Sequence, residues 1–173
     1  MNIQLLRLRT EETIEFKEEM QEAFQHGFDS AERGGNRQNQ WQVLPDKDFY
    51  QSLESEGAEA YEAVVADGRR VGGAIVVIDN EMHHNELAFL YVKVGVQSMG
   101  IGQAIWKAIE ALHPETEMWE TCTPYFDRRN IHFYINRCGF HAVEFFNEHH
   151  PDPLMPEQFD HEDGLFKFEK VMK

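Results

Sequence analysis

The stretch ELAFLYVKVGVQSMGIGQAIWKAIEAL, residues 86–112, constrains the chain more than any other. Its first part, residues 86–94, is apolar almost throughout, as expected of a central strand covered on both faces. Glycines at 100 and 102 follow, ahead of a helical stripe of Ile101, Ile105, Ala108 and Leu112. Pro114 bars continuation of that helix. Strand, glycine turn and helix N-terminus make a local anion site, because unpaired amide N–H groups and the helix dipole both favour negative charge there. Gly100 and Gly102 remove side chains that would keep a pyrophosphate away; the alternative use for such glycines is close packing of helix on strand. Two common phosphate binders do not fit. A Walker A turn needs a Gly-Lys-Ser/Thr end, and a G-x-G-x-x-G turn fails because Ile105 stands three positions after Gly102.

The flanking sequence supplies a sheet for that unit. Residues 3–8 read as a first strand, and Phe16, Met20, Ala23 and Phe24 recur at helical spacing over residues 14–26, with Gly27 as the expected stop. Residues 29–45 have no period and hold Gly34-Gly35, which predicts a mobile loop before a short helix at 46–56. Asp67-Gly68 separates apolar runs at 61–66 and 71–78, a hairpin signal. A strand at 118–123 precedes a helix at 128–138, whose inward face is expected to carry Ile131, Ile135 and Cys138 and which Gly139 caps. Strands at 140–146 and 165–171 end the chain, and no repeat or linker interrupts residues 1–173. The order β-α-α-β-β-β-α-β-α-β-β indicates one α/β (α+β) domain with a mixed sheet.

Charge narrows the partners. The net charge is −15, from 31 acidic against 16 basic residues, which disfavours nucleic acid and anionic membranes and favours a cationic or amine-bearing molecule. No run is long and apolar enough for a membrane span, and the N-terminus turns acidic too early for a secretory signal. Two cysteines, Cys122 and Cys138, are no disulfide scaffold, so a reducing cytoplasm is the expected location.

Two segments carry a family resemblance. LYVKVGVQSMGIG, residues 90–102, resembles the central signature of the GNAT superfamily of N-acetyltransferases: an apolar strand ending Leu-x-Val-x-Pro, two residues, then Gln/Arg-x-x-Gly-x-Gly/Ala. Leu90, Val92, Gln97, Gly100 and Gly102 match, and Val94 stands where the family often has proline. NIHFYINRCGF, residues 130–140, resembles the second signature, Asn-x-x-x-x-Tyr-x-x-x-Gly-Phe, with Tyr134 standing one position nearer Asn130 than the signature's tyrosine. The resemblance implies a mixed, mostly antiparallel sheet of about seven strands flanked by about four helices.

It also implies acetyl-coenzyme A as acyl donor, without a metal. The pyrophosphate would lie on the amides of Met99, Gly100, Ile101, Gly102 and Gln103, and the pantetheine arm would run along the backbone of Val92 and Val94. Asn130 would touch the cofactor arm, the Val92 N–H would polarise the thioester carbonyl, and Tyr134 would be the general acid near sulfur. Glu86 lies eleven residues before Gln97, where several members place a glutamate that binds or deprotonates the acceptor. Strand alternation puts it on the face of Ala88, Leu90 and Val92; a solvated strand start is the plainer reading, and Glu120 is the second candidate base.

The implied reaction is direct acetyl transfer to a primary amine in a ternary complex. Charge points to a small cationic acceptor, with a peptide N-terminus or lysine as the enzymatic alternative and a non-catalytic coenzyme A sensor as the alternative of another class. Residues 29–45 would set specificity, Phe28 and Trp41 would line the acceptor pocket or anchor the core, and the resemblance admits a homodimer through the last strands. His83, His84, His149, His150, Asp152, Asp160 and His161 are metal-ligand types without the spacing of a site. Neither cysteine has a His/Asp constellation for a covalent acyl-enzyme.

Overall fold

The turn Asp67-Gly68 closes the hairpin formed by the second and third strands of the sheet. Gly68 takes φ +89°, and the Asp67 carboxylate accepts the Arg69 N–H at 2.9 Å. Strands β2 (Ala58–Val64) and β3 (Arg70–Val77) pair antiparallel on either side, with Tyr61 opposite Ala74. The computed structural model describes residues 2–31, 43–96, 100–125, 127–153 and 164–172. Seven strands form one sheet in the order β1 (Gln4–Arg7), β2, β3, β4 (His84–Val92), β5 (Met118–Pro124), β7 (Leu165–Val171), β6 (His141–Phe146). Every neighbouring pair is antiparallel except β4 and β5.

Helices cover both faces. On one side α1 (Thr13–Ala31) and α2 (Asp46–Leu53) bury Phe16, Met20 and Phe49 against Ile75 and Tyr91. On the other, α3 (Ile101–Leu112) buries Ile101, Ile105, Trp106 and Ile109 against Val76, Leu87, Trp119 and Phe168, and α4 (Arg128–His132) packs its half-buried Ile131 on the same cluster. Arg70 ties α1 to the sheet, contacting Glu15 at 3.1 Å, Glu19 at 2.7 Å and Glu62, while Tyr91 Oη donates to Glu19 at 2.9 Å. Arg70, Glu19 and Glu62 are largely withdrawn from water and are held by their mutual pairing, whereas Glu15 stays exposed.

Several element boundaries depart from expectation. Helix α1 does not stop at Gly27 but continues to Ala31, so the expected loop loses its first residues to helix; residues 32–42, including Trp41, lie outside the described residues. A lone glycine with open space around it lowers helix propensity without ending a helix that tertiary packing holds. Leu112, at the end of α3, is exposed, and Ile109 takes the inward position instead. After α4 the backbone widens into a π turn, Phe133–Arg137, in which Cys138 N–H donates to the Phe133 carbonyl at 3.0 Å. That extra residue per turn rotates the inward face. Tyr134 and Cys138 are buried, whereas Ile135, expected inside, is exposed. Gly139 closes the segment at φ +85°, as a C-terminal glycine cap should.

Candidate active site

The parallel pair is short. Strands β4 and β5 are in register only at His84–Met118, Asn85–Trp119 and Glu86–Glu120; beyond these, β4 runs on to Val92 and β5 to Pro124 without further pairing to each other. The sheet therefore forks after Glu86 and Glu120. At the fork, the buried Thr121 hydroxyl donates to the Leu87 carbonyl at 2.8 Å, a side chain standing where a ladder bond would otherwise lie.

A β-bulge aims the side chains around that fork. Ile75 pairs with Phe89 and Val76 with Leu87, which leaves Ala88 as the extra residue on β4. Before it, Leu87 packs in the α3–α4 layer; after it, Leu90 and Val92 do so, while Ala88, Phe89 and Tyr91 pack in the α1–α2 layer. Glu86, adjacent to Leu87, therefore points to the α1–α2 side, opposite Leu90 and Val92. Unbroken alternation would have placed all three together, so the expectation of a shared face is corrected by the bulge. Glu86 and Ala88 do share the α1–α2 side.

Carboxylates gather on that side. Trp119, Thr121 and Thr123 of β5 turn inward, which sends Glu120 and Cys122 to the same side as Glu86. Lys167 of β7 reaches Glu120 at 3.5 Å and Glu169 at 3.9 Å. The Glu86 side chain reaches solvent, yet surrounding protein, and secondly the Glu120 charge, hold its carboxyl above the ordinary value. Cys122 is exposed, but desolvation and then Glu86, Asp152 and Glu120 push its thiol up to about 12. Such a thiol is a poor nucleophile.

Tyr134 approaches the fork from the other side. It is buried among Phe133, Phe140 and Phe168, with ring centroids 5.4, 5.7 and 5.9 Å away. Burial, then Cys138, keeps its phenol protonated well above the usual tyrosine range, opposed by a side-chain hydrogen bond with Thr121.

The remaining expected residues lie at the head of α3. Gly100 is its N-cap at φ +76°, no side chain caps the first turn, and a Cβ on Gly100 would meet nothing within 4 Å. Gly102 differs: its Cβ would meet the Phe133 ring at 3.1 Å and Val92 Cγ2 at 3.5 Å. Packing is therefore what Gly102 serves, whereas Gly100 leaves the head of α3 open. Gln103 spends its side chain on the Arg137 carbonyl at 3.0 Å, joining α3 to the π turn. Val92 ends β4 opposite Gly72, but Val94 lies past the strand in the turn closed by Val96 N–H on the Lys93 carbonyl. Asn130 is in the first turn of α4, its N–H accepted by the Asp127 carboxylate at 3.0 Å. Gln97 and Met99 lie outside the described residues.

Other candidates separate from this site. Phe28 is buried in α1 as a core residue. His150 stacks on Phe146 and reaches Glu144 at 3.1 Å, and among the described residues no group of three or more His, Cys, Asp or Glu could hold a metal ion. Asp160 and His161 lie outside the described residues. A cleft of about 470 Å³ beside Lys93–Val96 is lined by Glu12, Glu19, Glu62 and Arg70; its buried charges answer one another rather than the fork. No helix among the described residues is long and apolar enough to cross a membrane.

The forked sheet and glycine-headed helix have counterparts in known proteins. The model of the acetyltransferase (GNAT) family matches residues 14–140. The chain belongs to the GNAT family. This acetyltransferase is 41% identical over 181 residues to the uncharacterized protein YrkN of Bacillus subtilis (strain 168), across 98% of this chain and 94% of that one. Its fold matches a GNAT family acetyltransferase from Staphylococcus aureus Mu50 with a TM-score of 0.69 at 14% identity, over 99% of this chain and 100% of the other. A GNAT family acetyltransferase from Elizabethkingia anophelis with acetyl-CoA bound gives a TM-score of 0.69 at 13% identity, over 99% of each chain. The GNAT chain is thus an acyltransferase with that family's seven-stranded sheet and four helices.

Sequence reading missed two features. The bulge at Ala88 left no mark, since every neighbour is apolar. Thr121 was legible in principle: in Trp-Glu-Thr-Cys-Thr the threonines alternate with the tryptophan, and a hydroxyl on an inward position requires a partner.

Proposed function

We propose that this GNAT enzyme transfers acetyl from acetyl-coenzyme A directly to a primary amine of a small cationic molecule, in the reducing cytoplasm suggested by its two free thiols. The observation that carries this reading is the fork between β4 and β5, with a protonated phenol on one side and carboxylates on the other.

When bound, acetyl-coenzyme A supplies an activated thioester. The chain's open α3 turn suits its pyrophosphate: Gly100 leaves space, and the amides of Met99, Ile101, Gly102 and Gln103 are donors of the right kind. Gln97 and Asn130 belong to this set by their places in the two signatures, as do the backbone groups of Val92 and Val94. The Val92 N–H is our candidate donor to developing negative charge. Tyr134 holds a proton at Oη for a leaving thiolate, and its buried setting keeps that proton in place at neutral pH. Glu86 takes a proton from the acceptor ammonium, directly or through water, and its raised carboxyl is better matched to that task than an ordinary glutamate. Glu120 and Glu169, offset in part by Lys167 between them, leave the balance beside it negative, which favours a cationic acceptor.

The test is release of free thiol from acetyl-coenzyme A across a panel of polyamines, aminoglycosides, amino acids and short peptides. Acceleration by small polycations with formation of their N-acetyl products is expected. Acceleration only by peptides transfers the reading to a protein acceptor. Cofactor binding without turnover on any amine makes the chain a sensor.

A further inference from the structure

Glu86, Glu120 and Glu169 stand in one row across the sheet. Glu86 is in register with Glu120 across β4 and β5, and Glu120 with Glu169 across β5 and β7. Partners in register share a face, so the three carboxylates follow one another on the α1–α2 side at strand spacings of about 4.8 Å. Lys167 lies two residues before Glu169 on the same face of β7. Its Nζ reaches 3.5 Å from Glu120 Oε2 and 3.9 Å from Glu169 Oε1, between the second and third places of the row. The chain thus holds an ammonium of its own one to two strand spacings from Glu86, a distance that the two nitrogens of a short alkyl diamine also span.

That ammonium is shared rather than committed. Both of its contacts exceed the roughly 2.7–2.9 Å of a charge-assisted hydrogen bond, whereas Lys170 meets Glu110 at 2.9 Å. The side chains of Lys167, Glu120 and Glu169 are 27%, 38% and 29% exposed, so a solute reaches all three, and the flexible lysine stem lets the charge swing away.

We propose that Lys167 is a specificity-determining residue for the acceptor: its ammonium occupies the place that a diamine's second ammonium would take while the first lies at Glu86, and the two compete for Glu120 and Glu169. This rests on Glu86 receiving the acceptor amine and deepens that reading. A monoamine leaves Lys167 in place. A diamine must displace it, which offsets part of the attraction of the row. Lys167 therefore sets the preference between singly and doubly charged amines without touching the reacting atoms.

The test compares putrescine with n-butylamine, which differ by one ammonium, in wild type, Lys167→Met and Lys167→Arg. Methionine keeps the stem and removes the charge; arginine keeps the charge. Calorimetry with coenzyme A bound gives both affinities without turnover. In Lys167→Met the ratio of putrescine to butylamine affinity rises about tenfold, the scale of one charge pair at a partly exposed site, and the rise shrinks with added salt. Lys167→Arg keeps the wild-type ratio. With Glu120→Gln and Glu169→Gln both present, Lys167→Met no longer changes the ratio, because the groups competed for are gone. An unchanged ratio in Lys167→Met, an equal rise in Lys167→Arg, or no putrescine binding to Lys167→Met overturns the proposal. Thiol release from acetyl-coenzyme A separates this from the activity. A raised ratio without acetyl transfer to either amine overturns the acetyltransferase reading alone, and transfer with an unchanged ratio overturns this one alone.

Discussion

The first turn of α3 rests directly on the Phe133 ring: a Cβ added at Gly102 would stand 3.1 Å from it. Helix α3 therefore sits against the segment that carries Tyr134, and the glycine sets that approach. Gly102→Val forces Phe133 aside and is expected to destabilise the fold by about 1–3 kcal/mol, the usual cost of overpacking. Urea unfolding measures this, and an unchanged midpoint and slope would show that the ring yields freely. Gly102→Ala asks for a shift of only a few tenths of an ångström and is expected to cost less.

Glu86 gives a pH signature with a definite sign. Its carboxyl is raised in the folded protein, by desolvation first and Glu120 second, so its contribution to stability is present at low pH and is lost as pH rises through the raised value. Glu86→Gln is therefore more stable than wild type at neutral pH and no more stable below about pH 4, where a free glutamate is protonated as well. Thermal melts at the two pH values decide it; equal melting temperatures at neutral pH would contradict the raised carboxyl.

The same group shapes turnover. If Glu86 accepts the amine proton, kcat rises with pH on a limb whose midpoint lies above the ordinary glutamate range. Glu120→Gln removes a neighbouring charge and lowers that midpoint, while Glu86→Gln abolishes the limb. A limb that persists in Glu86→Gln assigns the proton elsewhere.

Cys122 is exposed and still expected to be inert. With its thiol pushed up to about 12, the thiolate fraction at pH 8 is about a hundredfold or more below that of a free cysteine. Iodoacetamide should modify it correspondingly slowly in native protein, and intact mass after acetyl-coenzyme A alone should show no acetyl-enzyme. Rapid alkylation or a stable acetyl adduct would revive a covalent route.

These outcomes mirror what could be read beforehand. Strand β7 was legible to the residue, and helix α3 was legible from its apolar stripe and the stop before Pro114. The two signatures singled out Gly100 and Tyr134, and the distance to Gln97 singled out Glu86, but none of these gave the directions in which the side chains point. A bulge at Ala88 and a π turn after His132 each insert one residue, and each turns the side chains beyond it to a different face. Those insertions are decided by pairing partners distant in sequence. Periodicity within one segment carries no trace of them. The role of Gly102 was hidden for a similar reason, since it depends on Phe133 in another helix.

Thiol release from acetyl-coenzyme A by wild type and Tyr134→Phe, on the best amine of the panel, tests the central claim most directly. Acid at one side of the fork and base at the other predicts a fall in kcat of about a hundredfold or more in Tyr134→Phe, the scale of general acid catalysis. Coenzyme A affinity should be nearly unchanged. Undiminished kcat in Tyr134→Phe would contradict the account.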